Sequence, residues 1–401
     1  MDQGVLLMLT SKKLELLAVV MVAFLALGTA AQNPPSDPTA EQPGKEKESA
    51  EKGIDAATLA AWDDLDARRV GWVRLPADWH EMPSLMIRKG PIENCLPGFS
   101  FSQFPEYKLP RVAVPFGLLI HTGITNSGLK DLADLDNLVL LSLRGTEISN
   151  AGLKELAPLK NLTYLDLSQT KVLNVGLKEL ASLPKLAVLD LSGTKVTDAG
   201  LKRLALLKNL KALNLSGTQV TDPEALAPLK SLSTLDLSRT MMTNAKLKGL
   251  ASLGSLSSLS LSGTKLTDTE ALATLKNLTS LDLSGTGVTD LRPLASLENL
   301  THLNLGYTKV PNRGLKAIAS LKKLTSLDLT NVPLTDLGLK DLTLLTNLTT
   351  LTVSCYQATD DGLMELAALT NLTKLHVGIG GKVSQAGILA LQRELPKCKI
   401  N

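Results

Sequence analysis

LAVLDLSGTKVTDAGLKRLALLKN, residues 186–209, contains the plan of the whole chain. Its opening L-x-x-L-x-L-x-x-T puts Leu189 and Leu191 on one face of a short strand and Asp190 on the other, because side chains alternate along a strand. After the turn Ser192-Gly193-Thr194, residues Leu201, Leu204, Ala205 and Leu207 fall at helix-like spacing, with Lys202 and Lys208 outward. The unit reads as strand, turn, one short helix and return. The string opens again at Leu138, Leu162, Leu210, Leu232, Leu256, Leu278, Leu300, Leu324, Leu348 and Leu372, at intervals of 22 or 24 residues. A fixed period of this length means a stack of units, each burying its paired leucines only against its neighbours.

The 22-residue units, opening at Leu210, Leu256 and Leu278, lack the glycine–leucine pair and carry runs such as TDPEALAPL or TDLRPLASL. Shorter helical or 3₁₀ turns are expected there, with a local change of curvature. Thr146, Thr170, Thr194, Thr218, Thr240, Thr264, Thr286 and Thr308 close the strand-to-turn corner. A hydroxyl both donates and accepts, so these threonines are expected to satisfy backbone groups at that corner. Their run breaks at Val332 and Tyr356.

These motifs resemble the leucine-rich-repeat superfamily, in which Asn or Cys more often holds the threonine position. The units reading T-x-V-T-D-x-G-L-K-x-L-A look most like exported bacterial members. The 22-residue units are similar to internalin-type repeats and the 24-residue units to the ribonuclease-inhibitor style. The resemblance covers roughly Val114 to the end, with Val114 to Asn137 as a first unit one residue short near Thr122. It implies an α/β solenoid: a horseshoe with a parallel concave sheet and short helices on the convex side, preceded by an N-terminal cap. It implies a curved protein-binding scaffold and brings no catalytic residue with it.

Four segments follow. Residues 1–31 combine Lys12 and Lys13, an apolar run from Leu16 to Leu27, and the small residues Gly28 to Ala31. That is the layout of a signal peptide, with an uncleaved N-terminal anchor as the alternative. Residues 32–53 are rich in Pro, Glu, Lys and Ser without large apolar residues, and read as a disordered linker. Residues 54–112 hold seven of the twelve aromatic side chains, among them Trp62, Phe99 and Phe101, and read as a cap over the open hydrophobic end. A small ligand module using exposed tryptophans is the alternative. Residues 113–401 are the repeat domain, which Gln392 to Asn401 closes as a polar helix and tail.

Function is sought on the strand face that points away from the leucines. The residue between the paired leucines runs through Asp166, Asp190, Asp236, Asp282, Asp328 and His376, while Lys130, Lys154, Lys178, Lys202, Lys248, Lys316 and Lys340 repeat on the helical side. The formal net charge of +3 thus hides an expected segregation, acidic within the curve and basic outside it. Such a stripe either keeps an exposed strand soluble or receives a basic or hydroxyl-rich partner. Bulkier residues interrupt the small, polar rows at both ends. The expected contact residues are Tyr164, Asp166, Asp190, Asp236, His302, Tyr307, Asn331, Tyr356, Lys374 and His376.

Other classes find little support. His121 and His302 lie eight units apart, roughly 38 Å at the usual strand spacing, beyond the ~3 Å reach of acid–base partners. No Walker loop, nucleophile elbow or metal motif appears, so no cofactor or metal is expected. Cys95, Cys355 and Cys398 make no disulfide framework, although export permits one bridge, with Cys355 and Cys398 the nearer pair. No basic run or stacking platform suggests nucleic acid. The N-L-T triplets at Asn161, Asn277, Asn299, Asn347 and Asn371 match a glycosylation sequon but belong to the repeat.

The expected function is a non-catalytic exported scaffold that binds a protein, in the periplasm, at the cell surface or outside the cell. A substrate-recognition subunit of a ubiquitin-ligase assembly and a structural envelope component are the alternatives. Mass spectrometry of the chain's N-terminus separates the first two. The export reading expects Met1 to be lost with cleavage near Ala31, whereas an intact Met1 in a cytosolic fraction supports the ligase reading.

Overall fold

The computed structural model describes residues 95–105, 108–378 and 381–401, together with Thr58, Ala61, Trp62 and the backbone of Arg69–Arg74 and Leu85–Met86. The leader and linker expected over 1–53 lie outside the described residues, as does most of 54–94.

Each L-x-L triplet forms a short strand. The strands are β1 (Arg69–Arg74), β2 (Leu85–Met86), β3 (Cys95–Phe101), β4 (Phe116–Ile120), β5 (Leu138–Ser142), β6 (Tyr164–Asp166), β7 (Val188–Asp190) and β8 (Ala212–Asn214). They continue as β9 (Thr234–Asp236), β10 (Ser258–Ser260), β11 (Ser280–Asp282), β12 (His302–Asn304), β13 (Ser326–Leu329), β14 (Thr350–Ser354), β15 (Lys374–Gly378) and β16 (Lys399–Ile400). All join one open sheet, parallel from β3 to β16, with β1 and β2 antiparallel at its edge. Leu165, Leu189, Leu213, Leu235 and Leu259 sit opposite one another from strand to strand and are buried, as are helical-side leucines such as Leu201 and Leu204. Together they form one continuous apolar spine.

Both ends depart from the sequence reading. The parallel sheet begins at β3, one strand ahead of the first leucine motif, where Phe99 and Phe101 stand in for leucines. Trp62 stacks on Phe99 with ring centroids 3.8 Å apart and meets Phe116 edge-on at 6.0 Å, so these rings are continuous with the leucine spine. At the other end, the expected polar helix and tail is instead a helix over Gln385–Glu394 followed by strand β16, paired with β15. The unpaired edge of β15 and the burial of Cys398 draw the tail into the sheet.

The corner threonines do what their chemistry suggested. All eight hydroxyls donate to the carbonyl three residues earlier at 2.6 Å, as Thr194 does to Leu191. The expected 3₁₀ turns of the 22-residue units are found at Pro223–Leu226, Glu270–Thr274 and Arg292–Ser296. The 24-residue units carry short α-helices such as Asp198–Leu204, or 3₁₀ segments such as Asn174–Ser182.

A second polar ladder runs between units. The Asn or Asp that starts the helical segment of one unit reaches the T-D corner of the next. Asn174 Oδ1 accepts from Thr197 N at 2.9 Å and its Nδ2 donates to Thr197 Oγ1 at 2.8 Å. Asp336 accepts from the backbone and hydroxyl of Thr359 at 2.7 and 2.9 Å, and Asp360 likewise from Ser384 at 2.7 and 2.6 Å. This ladder explains the glycine of T-D-x-G-L. A Cβ on Gly200 would stand 2.7 Å from Asn174 Oδ1, and one on Gly362 would stand 2.0 Å from Asp336 Oδ1 and 2.8 Å from its Cα. In the three 22-residue units the aspartate turns back on its own segment: Asp222 accepts from Glu224 N, Asp268 from Glu270 N and Asp290 from Arg292 N, at 3.1, 3.3 and 2.9 Å. Those units have Glu224, Glu270 and Arg292 at the glycine position, and in the first two the preceding unit's Asp198 and Asn244 still reach the corner at Thr221 and Thr267.

The N-L-T asparagines are also occupied. Asn161, Asn277, Asn299, Asn347 and Asn371 each donate through Nδ2 to a carbonyl of the preceding unit at 2.6–3.1 Å.

Gly362→Ala is expected to lower stability by about 1–3 kcal/mol, as overpacking does, because the alanine displaces the Asp336 carboxylate from Thr359. Gly254→Ala, where a Cβ meets nothing within 4 Å, is expected to change little. Urea unfolding midpoints of the two variants check this.

Candidate functional site: the concave wall and its turn edge

Alternation along each strand sends Leu165 into the spine and Tyr164 and Asp166 onto the concave wall. Register carries this across the sheet, so Asp166, Asp190, Asn214 and Asp236 form one row. The expected acidic stripe is present, and the lysines of the helical side are exposed on the opposite surface.

The row has an internal task that sequence reasoning missed. Its side chains accept the backbone N–H two residues on: Asp190 Oδ1 from Ser192 at 2.7 Å, Asn214 Oδ1 from Ser216 at 2.9 Å, Asp282 Oδ1 from Ser284 at 2.8 Å. Each fixes the exit from its strand, as Asp and Asn do in turns. The spacing D-x-S was a visible signal of this bond.

Towards the N-terminal end both carboxylate oxygens are engaged. Asp166 Oδ2 accepts from Ser142 Oγ at 2.9 Å while Ser168 N and Oγ donate to its Oδ1 at 2.9 and 2.6 Å. Asp190 Oδ2 accepts from Asn214 Nδ2 at 3.1 Å. Burial, then the neighbouring charge of Asp166, pushes the Asp190 carboxyl up to about 6. Tyr164, 4% exposed, lies in a small apolar cluster with Leu96, Leu119, Val139 and Leu140. Burial first, then the charges of Asp166 and Asp190, raise its phenol well above the usual range. Tyr164, Asp166, Asp190 and Asp236 are therefore buried, and the ten expected contact residues reduce to six at the surface.

Those six lie in the last units. His302 and Tyr307 belong to the unit of β12, Asn331 follows β13, Tyr356 follows β14, and Lys374 and His376 sit on β15. His302 Nδ1 lies 2.8 Å from Thr301 Oγ1, and the two histidines and Lys374 are half-buried. Tyr307 is 63% and Tyr356 51% exposed.

The turn edge of the wall has a further pattern. After five of the nine strands from β5 to β13 the second turn residue is a glycine in the left-handed region, such as Gly193 and Gly217 with φ of 66°. Gln169, Arg239, Tyr307 and Asn331 adopt the same conformation with φ of 54–58°. Holding a side chain there costs about 1–3 kcal/mol per residue. Gln169 and Arg239 escaped the sequence reading, although S-Q-T and S-R-T in place of S-G-T mark them.

Among the described residues no group of three or more His, Cys, Asp or Glu is placed to hold a metal ion. His121 Nε2 lies 3.2 Å from Ser100 Oγ. None of the three cysteines is in a disulfide, so the bridge considered between Cys355 and Cys398 is not formed. Burial, with a smaller push from Asp336, raises the Cys355 thiol to about 12, and burial raises Cys398. Neither is a thiolate at neutral pH, which is the form a nucleophile needs.

Known proteins share this architecture. A family model described as Leucine Rich repeats (2 copies) matches residues 254–296 and 276–314, and one described as Leucine Rich repeat matches residues 182–205. No curated protein matches the chain. An internalin of Listeria monocytogenes aligns with 69% of this chain and 88% of its own, at 23% identity and a TM-score of 0.53, which shows a common fold. Internalin C2 of the same species covers 52% of this chain and 84% of its own, at 29% identity and a TM-score of 0.42. A repeat protein of Leptospira interrogans covers 75% and 93%, at 22% identity and a TM-score of 0.42.

Asp190 gives a pH-dependent prediction. Its folded value of about 6 lies above the ordinary 3.8, so the fold holds the proton more tightly than the unfolded chain does. Its contribution to stability is present in full below about pH 4 and is lost as pH rises through 6. Asp190→Asn keeps an acceptor for Ser192 N, as Asn214 does for Ser216 N. The variant is expected to gain relative to the parent between pH 4 and 7, by up to about 3 kcal/mol, since each tenfold change in proton affinity is worth ~1.4 kcal/mol. Urea denaturation at both pH values measures the difference.

Proposed function

The chain belongs to the leucine-rich-repeat superfamily, and on that premise we propose that it is a non-catalytic scaffold binding another protein along its concave wall. Leucine-rich-repeat proteins generally mediate protein–protein interaction. The observation that carries the reading for this chain is Tyr307. It stands 63% exposed with φ of 58° at a turn position where glycine is the unstrained choice. Strain kept at an exposed aromatic residue gains nothing for folding, and strained positions gather at binding sites. Tyrosine is also among the residues most enriched in interface hot spots.

Asn331 and Tyr356 extend that edge, and His302, Lys374 and His376 continue it onto the wall of the last strands. The partner's footprint covers these six residues, while Tyr164, Asp166, Asp190 and Asp236 support the wall from within. Residues 54–112 act as the cap, which the burial of Trp62 against Phe99 and Phe116 supports. Export follows from the leader-like residues 1–31, so the partner is met in the periplasm, at the cell surface or beyond it. Among the described residues no helix is long and apolar enough to cross a membrane.

Photo-crosslinking tests the footprint. p-Benzoylphenylalanine at position 307 or 356 is expected to trap the same protein in envelope extracts. The same probe at Lys202, on the exposed helical side, is expected to trap none. Equal capture from both faces would remove the concave reading.

A further inference from the structure

The concave wall is not uniform, and the difference identifies the chemistry of its partner. Asp282, Asn304 and Asp328 are register neighbours on β11, β12 and β13. Each aspartate uses Oδ1 for its strand exit, Asp282 towards Ser284 N at 2.8 Å and Asp328 towards Thr330 N and Oγ1 at 2.8 and 2.6 Å. Among the described residues neither Oδ2 accepts a hydrogen bond and neither carboxylate has a cation in reach, unlike the fully engaged Asp166 and Asp190. Both are half-exposed.

The wall around them supplies no counter-charge. From β10 to β13 the positions facing the curve hold Ser, Asp, His, Asn, Gly and Thr, with no lysine or arginine. Two further wall-facing groups flank this stretch. The hydroxyls of Thr234 on β9 and Thr352 on β14 are covered by their surroundings but have no hydrogen-bond partner, and Thr234 is only 4% exposed. A covered hydroxyl without a partner is costly, and a docked peptide backbone would relieve it once the threonine side chain turns towards the curve. From β9 to β14 is about 24 Å at the usual strand spacing, the span of roughly seven extended residues.

Resting on the scaffold reading, we propose that the partner presents an extended segment bearing arginine or lysine, laid across β9 to β14. Its cationic groups meet Asp282 and Asp328, which stand roughly 10 Å apart as second neighbours in the sheet. Tyr307, on the turn after β12, offers its ring to the cation or its stem at the edge.

The test uses the full chain and fluorescein-labelled peptides of about eight residues, one alternating arginine with serine and one alternating glutamate with serine. The arginine peptide is expected to bind more tightly, to weaken as salt rises, and to lose about tenfold or more in affinity for the Asp282→Asn, Asp328→Asn double variant. The fold is expected to survive that change, because Asn214 and Asn304 already serve the same strand exit. Glu298→Gln, exposed on the helical side, is expected to bind the arginine peptide as the parent does. Equal affinity for both peptides, no binding, or equal loss in the Glu298→Gln control overturns the inference. If position 307 still traps a protein in that case, the scaffold reading survives and only the partner's chemistry is wrong. If position 307 traps nothing, both are lost.

Discussion

No unit of this chain can bury its own leucines. A strand of three residues and one turn of helix enclose nothing until a neighbour is stacked on each side, and every other feature follows from that constraint. Leu189 is buried because Leu165 and Leu213 lie against it, and the dependence runs along the array from Phe99 to Leu375. A fully buried leucine contributes about 1.5–3 kcal/mol relative to an exposed one, so the spine drives folding. It also leaves two ends that must be closed. Aromatic rings meet the first end, and a returning strand pairs with the last.

Apolar stacking is non-directional, so polar groups set the spacing between units. The asparagine and aspartate ladder on the helical side links the start of one helical segment to the corner of the next, and where the unit reads T-D-x-G the glycine leaves room for it. Where the unit shortens by two residues, the aspartate bonds to its own segment and the ladder is interrupted. Mixed repeat lengths thus alter which units are polar-coupled as well as the local outline. The corner threonines, by contrast, act inside their own unit and are indifferent to repeat length.

One residue type serves several ends on the concave side. Every aspartate in the row fixes a strand exit, and in the first units its second oxygen is also taken up by a neighbour. On β11 and β13 that oxygen accepts no hydrogen bond among the described residues. The acidity of the wall is therefore partly a by-product of turn chemistry. The proposed docking surface rests on groups the fold leaves unsatisfied or strained: Asp282, Asp328, Thr234, Thr352 and Tyr307.

The repeat, its two lengths, the inward leucines, the corner threonines and the opposed rows of aspartate and lysine were all legible in the sequence, because each is a local periodicity. Periodic spacing specifies which face a residue takes and nothing about what surrounds it there. Tyr164 and Tyr307 looked alike as bulky interruptions, yet one is sealed in an apolar cluster and the other stands exposed in a left-handed turn. Asp190 and Asp282 occupy equivalent motif positions, each with an asparagine beside it on the next strand, yet Asn214 engages the first while among the described residues the second accepts nothing at Oδ2. The strand character of β3 and of the last residues was hidden because neither carries the leucine string; pairing with an adjacent edge makes them strands. Burial, strain and hydrogen-bond satisfaction are relations between units, and they exist only once the units are stacked.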